Sequence, residues 1–422
     1  MFDHLQSERN KTMAARVSQP RIEYVAVPGY FLQDETKTDA SSFDCWTAPN
    51  FGLVPRPYDS DATIDPDHTR TTQWVRFAHH IRTLNRLELE REKQAAGATG
   101  NDTVLPNVPV KYRYKVLFLG RHGEGYHNAA EAKYGKEAWD NYWSLLPGDS
   151  TSYWVDSELS PKGIQQALAA NKAWAQQFHQ GLPVPQIFYT SPHVRCLRTA
   201  HFTFSGLQIP LSTTDPEALA TLSATERQTN WGTLKLELKV KELLREVISP
   251  HTCDQRSSKT HILSLFSSPS ISSSSSPPTV TDSSSEPPPI VTIDDATFAE
   301  HDPYWSPSFH ETNDMVQTRL RVAFDEIFER ERPPYPASVP ASTSSYSSPS
   351  PASFNPDKIG DKLGPDHFNE MAQSELGLGR DFISLTMHSG AIRNTLALLG
   401  HRPFHLWSCG MIPAVVRVGY HY

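Results

Sequence analysis

Apolar residues change their spacing from one stretch of the chain to the next, and each spacing predicts an element. "RIEYVAVPGYF", residues 21–31, alternates like an edge strand that Pro28 and Gly29 interrupt. Between Thr71 and Lys93, Trp74, Phe77, Ile81, Leu84 and Leu87 recur three or four positions apart, which lays one apolar stripe along an amphipathic helix. From Tyr114 onward strand-like and helix-like stretches alternate. Tyr114 to Leu119 has the continuous apolar character of a strand buried on both faces. "SPKGIQQALAANKAWAQQFHQG" reads as a helix with Ser160 as N-cap, Pro161 in its first turn and Gly181 past its end. "PQIFYTSP" predicts a strand ending at Thr190, and "VRCLRTAHF" the start of a helix. "LKLELKV" alternates strictly and leads into "KELLREV". "DFISLTMHSG", "AIRNTLALLG" and "PAVVRVGYHY" then predict strand, helix and strand. This alternation is that of a layered α/β domain.

Two stretches break the rhythm. Residues 257–289, which contain "SISSSSSPPTVTDSSSEPPP", and residues 333–357 hold too little apolar surface to offset the entropy of ordering them, so both are expected to be disordered insertions. Between them Val316, Leu320, Phe324 and Ile327 share one helical face. The insertions therefore interrupt one domain, residues 21–422, instead of separating two, and the polar residues 1–20 are expected to be disordered. That single domain is fewer than 422 residues would suggest, and the 34 prolines and 38% hydrophobic content agree with a chain part core, part unstructured.

A net charge of −8 without long Lys/Arg runs argues against nucleic acid or an acidic membrane as partner, while leaving room for one basic pocket. The N-terminus lacks the apolar core of a secretory signal, and no run approaches the roughly 20 apolar residues that span a bilayer. The expectation is a soluble intracellular protein, in cytoplasm or nucleus. Cys45, Cys196, Cys253 and Cys409 are far apart and are read as reduced, mostly buried thiols, not as a disulfide framework or a zinc site. His79-His80 and the scattered histidines show no paired-ligand spacing.

Candidate chemistry gathers where strands end. "VLFLGRHGEGYHN" places Arg121-His122-Gly123 just beyond a central strand, where ligands bind in open α/β sheets. Gly123 and Gly125 allow a close backbone approach, arginine offers a planar fork to phosphate oxygens, and a neutral histidine is a nucleophile toward phosphorus. "SPHVRCLRTA" puts Arg195 and Arg198 in the first turn of the next helix, whose N-terminus attracts anions. "MHSGAIRN" again runs strand, His388, Gly390, helix. Any one of these turns is as readily structural; three strand ends bearing Arg or His point to one anion pocket. Glu242 and Glu246 follow the alternating strand, and like-charge repulsion from a phosphate would favour the protonated form that a general acid requires.

Read in order, "FLGRHGEGYHNAA", "DSELSPKGIQQA", "TSPHVRCLRTA", "LLREVISPHTCDQR" and "HSGAIRNTLALLGHR" resemble the histidine phosphatase superfamily, the phosphoglycerate mutase-like proteins, and within it the fungal phosphoglycerate mutase and phosphomutase-like proteins. The resemblance runs from about Tyr24 to the last residue, outside the Ser/Pro stretches. It implies a three-layer α/β/α fold with a mostly parallel mixed central sheet. It also implies His122 as a nucleophile that becomes a phosphohistidine, Glu246 as general acid and base, and Arg121, Asn128, Arg195, His388 and the Ser389 backbone around the phosphoryl group, with no metal or other cofactor. Glu242 remains the fallback for Glu246. His251 and Arg256 are either contacts to the rest of the substrate or loop residues, and His127 is expected to orient its loop. The expected activity is a metal-independent phosphatase acting on small phosphorylated metabolites. A mutase passing the phosphate back to the same substrate class is the enzymatic alternative, and a non-catalytic phospho-ligand scaffold the other.

Overall fold

Val116, Leu117, Phe118 and Leu119 are all at most 1% exposed, so layers must cover this strand on both sides. Val116 and Phe118 pack with Trp74, Phe77, Trp174, Leu197 and Phe204, whereas Leu117 and Leu119 pack with Leu320, Phe324, Ile392 and Leu396. Successive side chains of one strand thus enter two separate cores. In this computed structural model, residues 22–98, 110–210, 231–266, 288–293, 297–330 and 380–421 are described.

The sheet is built from β1 (Ile22–Ala26), β2 (Lys111–Arg121), β3 (Ile187–Thr190), β6 (Glu237–Val240), β7 (Ile290–Ile293), β8 (Phe382–Met387) and β9 (Met411–Tyr420), while β4 (Gln208–Pro210) and β5 (Trp231–Thr233) form a separate ribbon. Its order is β1-β9-β2-β8-β3-β6-β7. The strands from β2 to β7 run parallel, and β9 is antiparallel to both of its neighbours. The helices are α1 (Gln73–Ala98), α2 (Tyr126–Tyr134), α3 (Lys136–Asn141), α4 (Pro161–His179), α5 (Val194–Phe204), α6 (Lys259–Ser264), α7 (Asn313–Glu329) and α8 (Ser389–Leu398). The first core joins α1, α4 and α5 to one face; the second joins α7 and α8 to the other. The result is a three-layer α/β/α fold with a mostly parallel mixed sheet.

Several sequence signals act as expected. Ser160 caps α4 by accepting from the Gly163 N–H at 3.1 Å, Gly181 follows its end with φ +83°, and β1 lies at an edge. All four cysteines are free and buried. One boundary is corrected: residues 257–266, the head of the first Ser/Pro stretch, are structured. Ser258 caps α6 through His261 N–H, and Ile262 and Phe266 are buried in the first core, so two apolar anchors and one cap hold a helical turn despite the neighbouring composition. Residues 267–287 of that stretch, all of 333–357 and residues 1–20 lie outside the described residues. The short strand β7 carries too few residues to stand out beside a Ser/Pro run.

Candidate active site

Register sets the site before any side chain does. Arg121 pairs with Met387 and Thr190 with both Thr386 and Val240, so β2, β8, β3 and β6 end side by side. The residues that follow, His122, His388, Ser191 and Lys241, come out along one sheet end, and Glu246 arrives from the loop after β6. Ring centroids of His122 and His388 are 5.1 Å apart and those of His122 and His127 5.5 Å.

His122 is 2% exposed. Its Nδ1 lies 2.7 Å from the carbonyl oxygen of Gly123, which can only accept, so Nδ1 carries the proton and Nε2 keeps its lone pair. The loop is pinned on every side: Gly123 N–H donates to Thr199 Oγ1 at 2.9 Å, Glu124 N–H to Gln166, and Ser160 N–H to the Glu124 carbonyl. A Cβ on Gly123 would stand 2.7 Å from the Gly163 carbonyl oxygen, a collision with backbone, so this approach demands glycine.

Arg195, 1% exposed, donates from Nη1 to the Cys253 carbonyl at 2.8 Å and holds Nη2 4.0 Å from Asp254 Oδ1. Arg121 donates from Nη1 to the Leu406 carbonyl at 2.7 Å. Among the described residues, Arg121 Nε, Arg195 Nε and His127 Nδ1 are buried with no hydrogen-bond partner. Burial, then the charge of Arg195, pushes the imidazoles of His122, His127, His193 and His388 well below the ordinary histidine value, so they are neutral at pH 7. Burial also lowers Arg121, against Glu246 and Glu131, which raise it.

Glu246 sits at the start of α8. Its carboxylate accepts from Val247 N–H (2.9 Å), Ala391 N–H (3.0 Å) and Gly390 N–H (3.2 Å), and a Cβ on Gly390 would strike it. Ser389 opens the same helix, one residue before the amides Glu246 takes. Asn128 accepts from Gly125 N–H through Oδ1 at 3.1 Å, steadying the loop. His127 stands in the pocket beside His122, with its backbone tied to Ser157 Oγ.

Other expected residues are placed elsewhere. Glu242 is locked between Arg245 (3.2 Å) and Arg256 (2.7 Å); burial raises it and the two arginines lower it, and no side of it is left for a substrate. Arg256 is a clamp, stacked 4.1 Å from the Phe298 ring centre and donating to the carbonyls of Ser257 and Ala299. His251 is half-buried against Trp139. Arg198 turns outward to Glu158 and the Phe266 ring. The N-terminus of α5, expected to attract an anion, is occupied within the protein: Val194 N–H donates to Asp156 at 3.0 Å. His251, Cys253 and Asp254 bring donor atoms within 4.8 Å of one another. Yet Arg195 already faces that carboxylate and Ser249 Oγ donates to it at 2.6 Å, so a cation would meet a positive neighbour.

Sequence reasoning overlooked His193, Ser191, Thr199 and Asp254. His193 is fully buried, its ring 4.9 Å from that of His388. Its signal was its place, at the same strand-to-helix turn as Arg195.

Residues 147–217 match the family model described as histidine phosphatase superfamily, branch 1. The chain is 35% identical over 399 residues to a probable phosphoglycerate mutase of Arthroderma benhamiae, covering 94% of this chain and 85% of that protein. It is 29% identical over 314 residues to the probable phosphoglycerate mutase PMU1 of Saccharomyces cerevisiae, covering 74% and 81%. A solved phosphoglycerate mutase from Bacillus anthracis matches at 12% identity and a TM-score of 0.32, over 72% of this chain and 88% of that one.

Proposed function

The chain belongs to the histidine phosphatase superfamily, and from that premise we propose that it is a phosphatase that hydrolyses small phosphate esters through a phosphohistidine on His122. The observation that carries this reading is a buried nucleophile with its lone pair on Nε2, beside guanidinium nitrogens of Arg121 and Arg195 that lack partners. Buried polar groups are almost always satisfied, so such donors are suited to a ligand's oxygens.

In the proposed reaction Nε2 of His122 attacks phosphorus as the ester P–O bond breaks, and Glu246, protonated beside the bound phosphate, gives its proton to the leaving oxygen. Arg121, Arg195 and His388 stabilise charge on the phosphoryl oxygens, within a buried site where each contact counts for more than in water. Water then attacks the phosphohistidine, Glu246 takes its proton, and the N–P bond breaks to release inorganic phosphate. The two guanidinium groups take the part that a divalent ion plays elsewhere, so no metal is required. Asn128 and the Ser389 backbone shape the pocket, and its ligand is a small phosphorylated metabolite.

The names of the relatives favour a second reading, a mutase that returns the phosphoryl group to its substrate. Phosphate release measured against isomer interconversion, on sugar phosphates and phosphoglycerates, separates the two. The mechanism itself is tested by acid quench with radiolabelled substrate: acid-labile label is expected on His122, and His122→Ala should lower phosphate release at least about 10³-fold. Unchanged release in that variant, or its abolition by EDTA, would sink the proposal.

A further inference from the structure

Behind His388 runs a line of buried polar groups for which the reaction above has no use. Ser191 Oγ lies 2.7 Å from His388 Nε2 and 3.3 Å from His193 Nδ1, and His193 Nε2 lies 3.2 Å from the carbonyl oxygen of Asp254. Ser191, His193 and His388 all have no exposed surface. The backbone N–H of His193 also points at Ser191 Oγ, at 3.4 Å.

One arrangement of protons satisfies every member. The Asp254 carbonyl only accepts, so His193 carries its proton on Nε2 and presents a lone pair at Nδ1. The Ser191 hydroxyl then gives its single proton to His193 Nδ1. That leaves two lone pairs on Oγ: one receives the His193 amide, the other needs a donor, and His388 Nε2 faces it. Cys196 fits the same pattern, because its thiol points to the Met387 carbonyl at 3.3 Å and leaves sulfur as a weak acceptor 3.4 Å from His388 Nε2. The far end does not drift, since Arg245 Nη2 holds the Asp254 carbonyl at 2.7 Å while Asp302 holds Arg245.

We propose that His193, acting through Ser191, is a positioning residue that keeps His388 protonated on Nε2, so that Nδ1 is the nitrogen that exchanges a proton when the phosphoryl group binds. This rests on the phosphohistidine reading for its catalytic consequence, though not for the tautomer itself. The groups that face His388 are Arg195, His193, His122 and His127, with the Cys196 thiol; His193 in turn faces Arg195, Arg245 and His122. Among the described residues no carboxylate is hydrogen-bonded to the His388 ring, so the resting imidazole is neutral, and a bound dianion supplies the charge that draws a proton onto Nδ1. Without His193 the hydroxyl is free to rotate its proton onto His388 Nε2. Nδ1–H then becomes the neutral form, a donor that no longer needs protonation.

The full-length protein, labelled with ¹⁵N-histidine, reports the tautomer by NMR with no ligand and no turnover. His388 is expected to show a protonated Nε2 and a bare Nδ1 in the wild type, and the reverse in His193→Leu. The reverse pattern in the wild type would overturn the proposal. In kinetics, His193→Leu and the nearly isosteric Ser191→Ala should each lower kcat/KM about tenfold and move its alkaline limb to higher pH, with no further change in the double variant. His193→Asn, which keeps an acceptor near the Nδ1 position, should retain the wild-type limb. A loss of activity with an unshifted pH profile, or additive effects in the double variant, would reduce His193 to packing. Failure of wild-type protein to release phosphate would remove the phosphatase reading and leave the NMR result standing.

Discussion

Glu246 accepts three backbone N–H groups, two of them from the first turn of α8, so the acid for the proposed reaction is held in one place. The demand for its proton depends on the leaving group. Glu246→Gln is therefore expected to lower kcat on an alkyl phosphate by about 10²–10⁴-fold, and to slow formation of the phosphoenzyme from p-nitrophenyl phosphate far less. A burst of nitrophenolate followed by slow turnover is the signature; equal losses on both substrates would contradict the role. At this scale His122 and His388 were legible because each follows a strand end directly, where side chains reach the ligand side of a parallel sheet, and Arg195 because it lies in the first turn of the helix that follows one. Glu242 and Glu246 were not separable, because the difference lies in partners distant in sequence: Arg256 holds the one, and the amides of α8 hold the other. His193 drew no reading of its own, and only the fold shows Ser191 and the Asp254 carbonyl on either side of it.

Among the elements, α7 governs the loop that carries Glu246. Arg319 donates to the carbonyls of Leu243 (2.7 Å), Arg245 (3.1 Å) and Glu246 (3.1 Å), and pairs with Glu311, which in turn accepts from Ile248 N–H. One guanidinium thus satisfies the turns of a segment with only a short 3₁₀ stretch, Glu242–Leu244, of its own. Arg319→Met removes the partner of a buried carboxylate and of three carbonyls, and should destabilise the protein by about 3–5 kcal/mol in denaturant unfolding. A loss under about 1 kcal/mol would show that water substitutes for the clamp. The α7 stripe of Val316, Leu320, Phe324 and Ile327 was readable from its periodicity, and all four are buried. Its task was not readable, since Arg319 lies off that stripe and looks like solvated charge until Glu311 and the loop are seen around it. The helix α6 was hidden for a different reason: Ile262, Leu263, Leu265 and Phe266, clustered beside a long Ser/Pro run, give no period to detect.

Across the whole molecule, acid should loosen the fold. The four imidazoles of His122, His127, His193 and His388 are held below their ordinary value by burial and by Arg195, whereas an unfolded chain takes up protons at about pH 6.5. The unfolded state therefore binds more protons as pH drops, and the stability these groups contribute above about 6.5 is lost below it. Asp254, raised by burial to about 7, acts in the opposite sense, as do Asp156 and Glu242, which burial also raises. Four histidines outnumber them and begin to titrate at once, so the thermal midpoint is expected to fall between about pH 7 and about pH 5.5. A level or rising midpoint would mean that these rings are charged in the native state. No described helix is long and apolar enough to cross a membrane. The layered architecture was legible from the alternation of elements, but strand order was not, because local spacing carries no record of which strand lies beside which.

That order has a consequence for how the protein is made. Among the described residues, strand β2, just past whose end His122 stands, pairs only with β8 and β9, and β1 only with β9. While the ribosome translates residues 122 to 381, the first two strands wait with both edges open, and half of the pocket has nothing to lean on. A nascent chain halted anywhere in that interval is expected to expose two unpaired strands and to aggregate more readily than the finished protein, until β8 pairs with β2 and brings His388 next to His122.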